Sequence, residues 1–387
     1  MANISTFLKL YGNTPFKELP LCEADILCFA FVSYANIEGS PKYLKSGGSE
    51  NTFNLLSFKD KKSLENIGTH SLVPKEFEKI YVQFINSKRY RSVKVDYIKN
   101  VLSETKVAQF FAMTLFVEDK AFILYRGTDT TVVGWKEDFN MALLGAVPSQ
   151  IYAKKYLEEV VSKIDGDIYL IGHSKGGNLV DFAFFNVDEK IKDRIKRVYN
   201  LDGPGFRFAR YNYAKYGDKL IKIIPNDDVV GILFDEGNRY RIVKSSKINI
   251  YAHDIASWQL DPRKELKGMY YLKKVTANTY TMKYALNEYI NNVSQKETMQ
   301  IIDFLFEIIS FDDSNNILSF INDFRTTWFK YVKEFKNIEN KEERDKAIKN
   351  LRKFISIYLK TLRNLKKKSM QKRKSLPEIL KENLIGE

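Results

Sequence analysis

Cysteine and histidine are scarce in this chain: two Cys and three His in 387 residues. Cys22 and Cys28 are separated by five residues, a gap that fits neither a zinc clamp nor a disulfide framework, so both read as small core residues in a reducing compartment. No His or Cys pair stands at zinc-ligand spacing, and neither G-x-G-x-x-G nor a Walker A loop occurs, so no metal and no nucleotide cofactor is expected. Long apolar runs are absent too. The longest near the N-terminus, Ile26 to Val32, falls far short of the roughly 18 residues of a membrane-spanning helix. The first residues, Met-Ala-Asn-Ile-Ser-Thr-Phe-Leu-Lys, lack the basic start and apolar core of a secretory signal, which makes the cytoplasm the expected location. No period of 20 to 50 residues recurs, excluding solenoids and propellers. What remains, 44% hydrophobic and 28% charged residues, is the composition of a globular protein with a large core.

The net charge of +14 is unevenly spread. From residue 341 to 387 there are fifteen Lys or Arg against six Asp or Glu, so +9 sits in the last 47 residues and +5 on the first 340. A cationic tail of this kind suits a solvated helix face or peripheral contact with an anionic membrane. The cluster from Lys366 to Lys374 lacks interleaved aromatic residues for stacking on bases, so no specific nucleic-acid partner is expected.

Between about residues 105 and 255, short β-rich runs alternate with helical patterns, the signature of parallel strands joined by crossover helices. Strands are predicted at Gln109 to Val117, Ala121 to Tyr125, Asp167 to Ile171, Arg197 to Leu201, Lys219 to Ile224, Arg239 to Val243 and Ile248 to Tyr251. Helices are predicted at Gln150 to Ile164 and Gly176 to Phe185. After about residue 270, the segments Tyr284 to Ile309, Asn316 to Phe335 and Arg344 to Leu365 carry apolar residues at three- and four-residue spacing only. The expected organisation is an α/β unit over residues 1–270, with a mostly parallel central sheet and flanking helices, and a helical C-terminal region over 271–387 ending in a basic tail.

The strongest chemical signal is Asp167-Ile-Tyr-Leu-Ile-Gly172-His173-Ser174-Lys175-Gly176-Gly177, a strand running through G-x-S-x-G into a helix. A nucleophile elbow turns so sharply that only small residues fit two positions before and after the serine, and Gly172 and Gly176 meet that need. Ser174 then sits at the positive end of a helix, where an alkoxide is favoured. Of the three possible bases, His173 would point away from its neighbour, and His70 lies in a polar stretch that reads as surface. His253 follows a strand-like run and fits the chain order serine, acid, histidine. The acid belongs at a strand end, where Asp202, Asp227 and Asp228 are all candidates. Thr128, in the turn after Tyr125-Arg126-Gly127, is placed to offer its N–H and hydroxyl to an oxyanion.

Tyr125-Arg-Gly-Thr128, Gly172-His-Ser-Lys-Gly-Gly177, Asn226-Asp-Asp228-Val-Val and Tyr251-Ala-His253, with Trp258 beyond, together resemble the signature blocks of class 3 lipases, α/β-hydrolases of the fungal triacylglycerol lipase type. Tyr125 to Leu143, with Gly134 to Met141 inside it, and Tyr199-Asn-Leu-Asp-Gly-Pro-Gly-Phe206 resemble, more closely, an uncharacterised bacterial family of lipase-like proteins. The resemblance covers about residues 15 to 265. It implies an α/β-hydrolase fold, Ser174 as nucleophile, Asp228 as acid, His253 as base, and oxyanion donors at Thr128 and Lys175. It also implies a serine hydrolase of carboxylic esters, with a small-molecule or lipid ester as substrate; the alternative is a non-catalytic scaffold of the same fold that binds a partner or membrane. Lys175 stands where lipases usually have leucine, and Gly231 where they have proline. A lysine there either favours an anionic ester or is an exposed residue of the first helical turn.

Overall fold

The computed structural model describes residues 2–277, except 47–51, 72, 130, 144–145, 208 and 235–239, and scattered positions as far as 363. The chain opens with helices α1 (Ile4–Tyr11), α2 (Glu23–Val32), α3 (Pro41–Lys45), α4 (Lys61–Glu65) and α5 (Pro74–Asn86), with a short strand, β1 (Phe53–Asn54), between α3 and α4. Strands β2 (Lys94–Ser103), β3 (Ala108–Val117) and β4 (Lys120–Tyr125) follow, then α6 (Val132–Leu143) and α7 (Pro148–Val161). Next come β5 (Asp167–His173), α8 (Lys175–Asn186), α9 (Glu189–Arg194), β6 (Ile195–Leu201), β7 (Leu220–Pro225), β8 (Tyr240–Val243) and β9 (Tyr271–Leu272).

All nine strands form one sheet in chain order. β1 to β4 pair antiparallel, β4 to β8 pair parallel, and β9 returns antiparallel on β8. The sheet is thus mixed with a parallel core. The predicted strands from 109 to 243 and the two predicted helices are all present within a few residues. The run Ile248 to Tyr251 is not a strand: residues Asn249–His253 form a 3₁₀ turn. The predicted helices 284–309 and 316–335 and the basic tail lie outside the described residues, except for isolated positions in the first. Within 344–365, Asp345, Lys349, Arg352, Ser356, Lys360 and Arg363 are helical and exposed.

The sheet is buried on both faces because its strands alternate toward two cores. Phe111, Met113 and Leu115 of β3 join α1, α2 and α5 in one core, while Phe110 and Ala112 join α7 and α8 in the other. α2 explains the apolar run from Ile26: every residue from Ala24 to Val32 is buried, as expected of a helix that is apolar all round. Its one buried charge, Asp25, accepts hydrogen bonds from Arg89 Nε and Nη2, each at 2.7 Å, and from Tyr90 Oη at 2.6 Å. Cys28 is buried and Cys22 half-buried, and both thiols are free.

The parallel strands end in register. Tyr125 is level with Gly172, His173 with Leu201, Leu201 with Ile223, and Pro225 with Val243. The loops leaving the carboxyl ends of β4 through β7 therefore converge on one edge, where ligand sites of α/β sheets form.

Candidate active site

Ser174 links β5 to α8 with φ 58° and ψ −130°, a region that non-glycine residues rarely enter and that costs of order 1–3 kcal/mol. The surroundings hold it there. Its N–H donates to Leu201 O at 2.9 Å, and its carbonyl accepts from Gly177 N at 2.8 Å. A methyl group on Gly172 would lie 2.0 Å from Gly176 O, and one on Gly176 would lie 2.1 Å from Tyr125 O. The two small residues read from the sequence are thus required by backbone packed against backbone.

The loop after β4 lies against the serine, since a methyl on Gly127 would fall 2.8 Å from Ser174 Cβ. Arg126 anchors this loop: it is buried, donates to Glu38 Oε1 at 2.8 Å, and stacks 3.9 Å over the Phe111 ring. His70 is not a free surface residue, because Nε2 lies 3.2 Å from Glu38 and Nδ1 3.8 Å from Asp129. Thr128 follows Gly127, and its hydroxyl donates to Asp138 Oδ2. Burial pushes the Asp138 carboxyl up to about 6, against the pull of the Lys175 charge and the Thr128 hydroxyl.

Lys175 departs from both sequence readings. Its ammonium is buried rather than exposed, and it is engaged within the protein rather than open to a substrate. It donates to Gln109 O at 2.8 Å, Gln109 Oε1 at 2.5 Å and Glu137 Oε2 at 3.2 Å, and lies 3.9 Å from Asp138. Glu137, itself fully buried, also accepts from the Gln109 and Ser149 N–H groups. A buried charge needs such a partner and such donors.

His253 sits in the 3₁₀ turn beyond β8, with Nδ1 2.7 Å from Asp202 Oδ2 and 3.3 Å from Asp228 Oδ2. All three side chains are buried. The structure therefore brings His253 to two of the three candidate acids. The third, Asp227, accepts from Thr276 Oγ1 at 2.6 Å and from Thr279 Oγ1. Ligand-type atoms of Asp202, Asp228 and His253 lie within 4.8 Å of one another, but 2.7 Å is a direct hydrogen-bond length with no room for an ion between Nδ1 and the Asp202 oxygen. Burial alone would lower the basicity of His253; the two carboxylates overcome it and raise it to about 10.

His173 is buried beside this group, its ring centroid 4.5 Å from that of His253. Burial holds its imidazole well below the usual histidine range, so the ring is neutral. Nε2 faces the His253 carbonyl at 2.9 Å and must carry the proton, which leaves Nδ1 to accept from Tyr34 Oη at 2.7 Å. His173 thus ties the His253 backbone to the segment after α2. Among the described residues, the Ser174 hydroxyl makes no hydrogen bond to His253; such contacts are often loose before substrate binds.

The strand order, the elbow after β5 and the convergent loops define an α/β-hydrolase-like fold. The chain belongs to the Mbeg1-like family, whose match spans residues 84–307. Lip2 lipase from Yarrowia lipolytica shares 14% identity over 39% of this chain and 66% of its own, just under two thirds, with a TM-score of 0.28. A triacylglycerol lipase from Penicillium expansum shares 17% over 47% and 80%, with a TM-score of 0.29. A Rhizomucor miehei lipase, in a propeptide complex, shares 12% over 58% and 67%, with a TM-score of 0.33. No curated protein sequence matches the chain.

Proposed function

We propose that the protein is a serine hydrolase of carboxylic esters, with acyl or lipid esters as the substrate class. The observation that carries this reading is Ser174, held at positive φ between β5 and α8 on the edge where a carboxylate-bound histidine also arrives. In the proposed reaction, Ser174 Oγ attacks the acyl carbon while His253 Nε2 takes its proton. The carboxylate at Nδ1, Asp228 by the lipase pattern, fixes the tautomer and stabilises the imidazolium. The same proton then goes to the departing alcohol, and water repeats the sequence to free the acid. The N–H groups of Thr128 and Lys175 are the proposed oxyanion donors, each worth about 3 kcal/mol, or a few hundredfold in rate.

Turnover of p-nitrophenyl esters and covalent labelling by a fluorophosphonate test this directly. Both are expected in the wild type and absent from Ser174→Ala, with turnover lower by about 10⁴-fold or more. Equal labelling of the two proteins would refute Ser174 as the nucleophile. A folded wild-type protein that is neither labelled nor active would leave the non-catalytic scaffold as the better reading.

A further inference from the structure

His253 Nδ1 carries one proton and faces two carboxylates. Asp202 Oδ1 accepts from the Gly231 N–H at 3.0 Å, and Asp228 Oδ2 accepts from the Val230 N–H at 3.0 Å. Among the described residues, no lysine or arginine pairs with either acid. The other titratable groups nearby do not offset the charge: His173 is neutral, Asp227 is held by two threonines, and Asp254 is paired with Lys247 at 2.9 Å. Two adjacent buried carboxylates cannot both ionise cheaply. If they did, the imidazolium between them would hold its proton too firmly to act as a base at neutral pH.

We propose that Asp202 and Asp228 act as a carboxyl–carboxylate pair that shares one proton and orients His253 jointly, either one sufficing when the other is neutral. This rests on the reading of Ser174 and His253 given above. The shared proton cancels one negative charge, so His253 meets a single net carboxylate. Burial and the charge of Asp228 push Asp202 well above the usual carboxylate range, while Asp228, although equally buried, is held low by His253 and by its hydrogen bond with Asp202.

A separate observation ties Asp202 to the site. A methyl on Gly231 would lie 2.2 Å from Asp202 Oδ1, and a proline there would also lack the N–H that this oxygen accepts. The glycine that replaces the usual proline of lipases is the residue that admits a second carboxylate.

The test compares wild type, Asp202→Asn, Asp228→Asn and the double variant. Asparagine tolerates the positive φ of 56° at position 202, and its carbonyl oxygen can still accept from Gly231; melting curves check that each protein is folded. Each single variant is expected to keep kcat/KM within about tenfold of wild type, whereas the double variant loses about 10⁴-fold because nothing then selects the tautomer. Aspartate-selective ¹³C NMR supplies a readout that a purely structural role would not move. One side-chain carboxyl of the pair stays protonated at neutral pH in the wild type, and this signal disappears in both single variants. The proposal is overturned if one single variant falls as far as the double, or if both carboxyls titrate independently in the ordinary range. Fluorophosphonate labelling, run alongside, separates the two ideas: a wild type that is not labelled overturns the nucleophile, while the NMR result still judges the pair.

Discussion

Lys175 shows how one residue can be catalytic in its backbone and structural in its side chain. Its N–H is a proposed oxyanion donor, while its ammonium joins β3, α6 and α8 through Gln109 and Glu137. Lys175→Met leaves Glu137 buried without its counter-charge, a loss of about 3–5 kcal/mol in unfolding free energy. Glu137→Gln alone leaves the lysine with only the more distant Asp138, 3.9 Å away, as counter-charge. The double variant, with both charges gone, is expected to be less damaged than the sum of the singles, a coupling that urea denaturation of all four proteins measures. Additive losses would mean that the ion pair does not act as a unit. The sequence marks Lys175 as a departure from the lipase pattern but cannot show where the ammonium goes, because its partners lie 38 and 66 residues away in the chain.

At the scale of elements, legibility followed periodicity. β3, β4, β5 and α7 were readable because their apolar spacing is set by burial on a sheet or along one helix face. The turn at Asn249–His253 departs from its pattern because Ile-Asn-Ile-Tyr alternates as a strand does, yet among the described residues no strand pairs with it. Asp202 could be read only as one strand-end aspartate among three; its contact with His253 depends on β6 and β7 ending level. Tyr34 and Glu38 left no signal at all, since they reach the site from loops beyond α2. That helix has no polar face to betray its period, and its stabilising role is correspondingly large. Leu27, fully buried within α2, is expected to cost about 2–5 kcal/mol when replaced by alanine, read as a lower urea midpoint with an unchanged slope. A loss under about 0.5 kcal/mol, the range of surface substitutions, would mean that α2 contributes little to the first core.

For the whole molecule, the charge distribution carries its own prediction. No helix among the described residues is long and apolar enough to cross a membrane. The six cations between Lys366 and Lys374 can each contribute about 1 kcal/mol near an anionic surface. Salt-sensitive binding to anionic vesicles is therefore expected, and a chain ending near residue 340 should lose it while staying folded. Unchanged vesicle affinity after truncation would make the tail solvated charge only.

The family match begins at residue 84, yet the fold does not. α1 and α2 line one face of the sheet, Tyr34 orients the histidine beside the serine, and Glu38 neutralises the arginine that steadies the Thr128 loop. Expressed from residue 84 onward, the chain would carry Ser174, Asp202, Asp228 and His253 together with a bare apolar sheet face. It would contain every proposed reacting group and still be a candidate for aggregation rather than for assay.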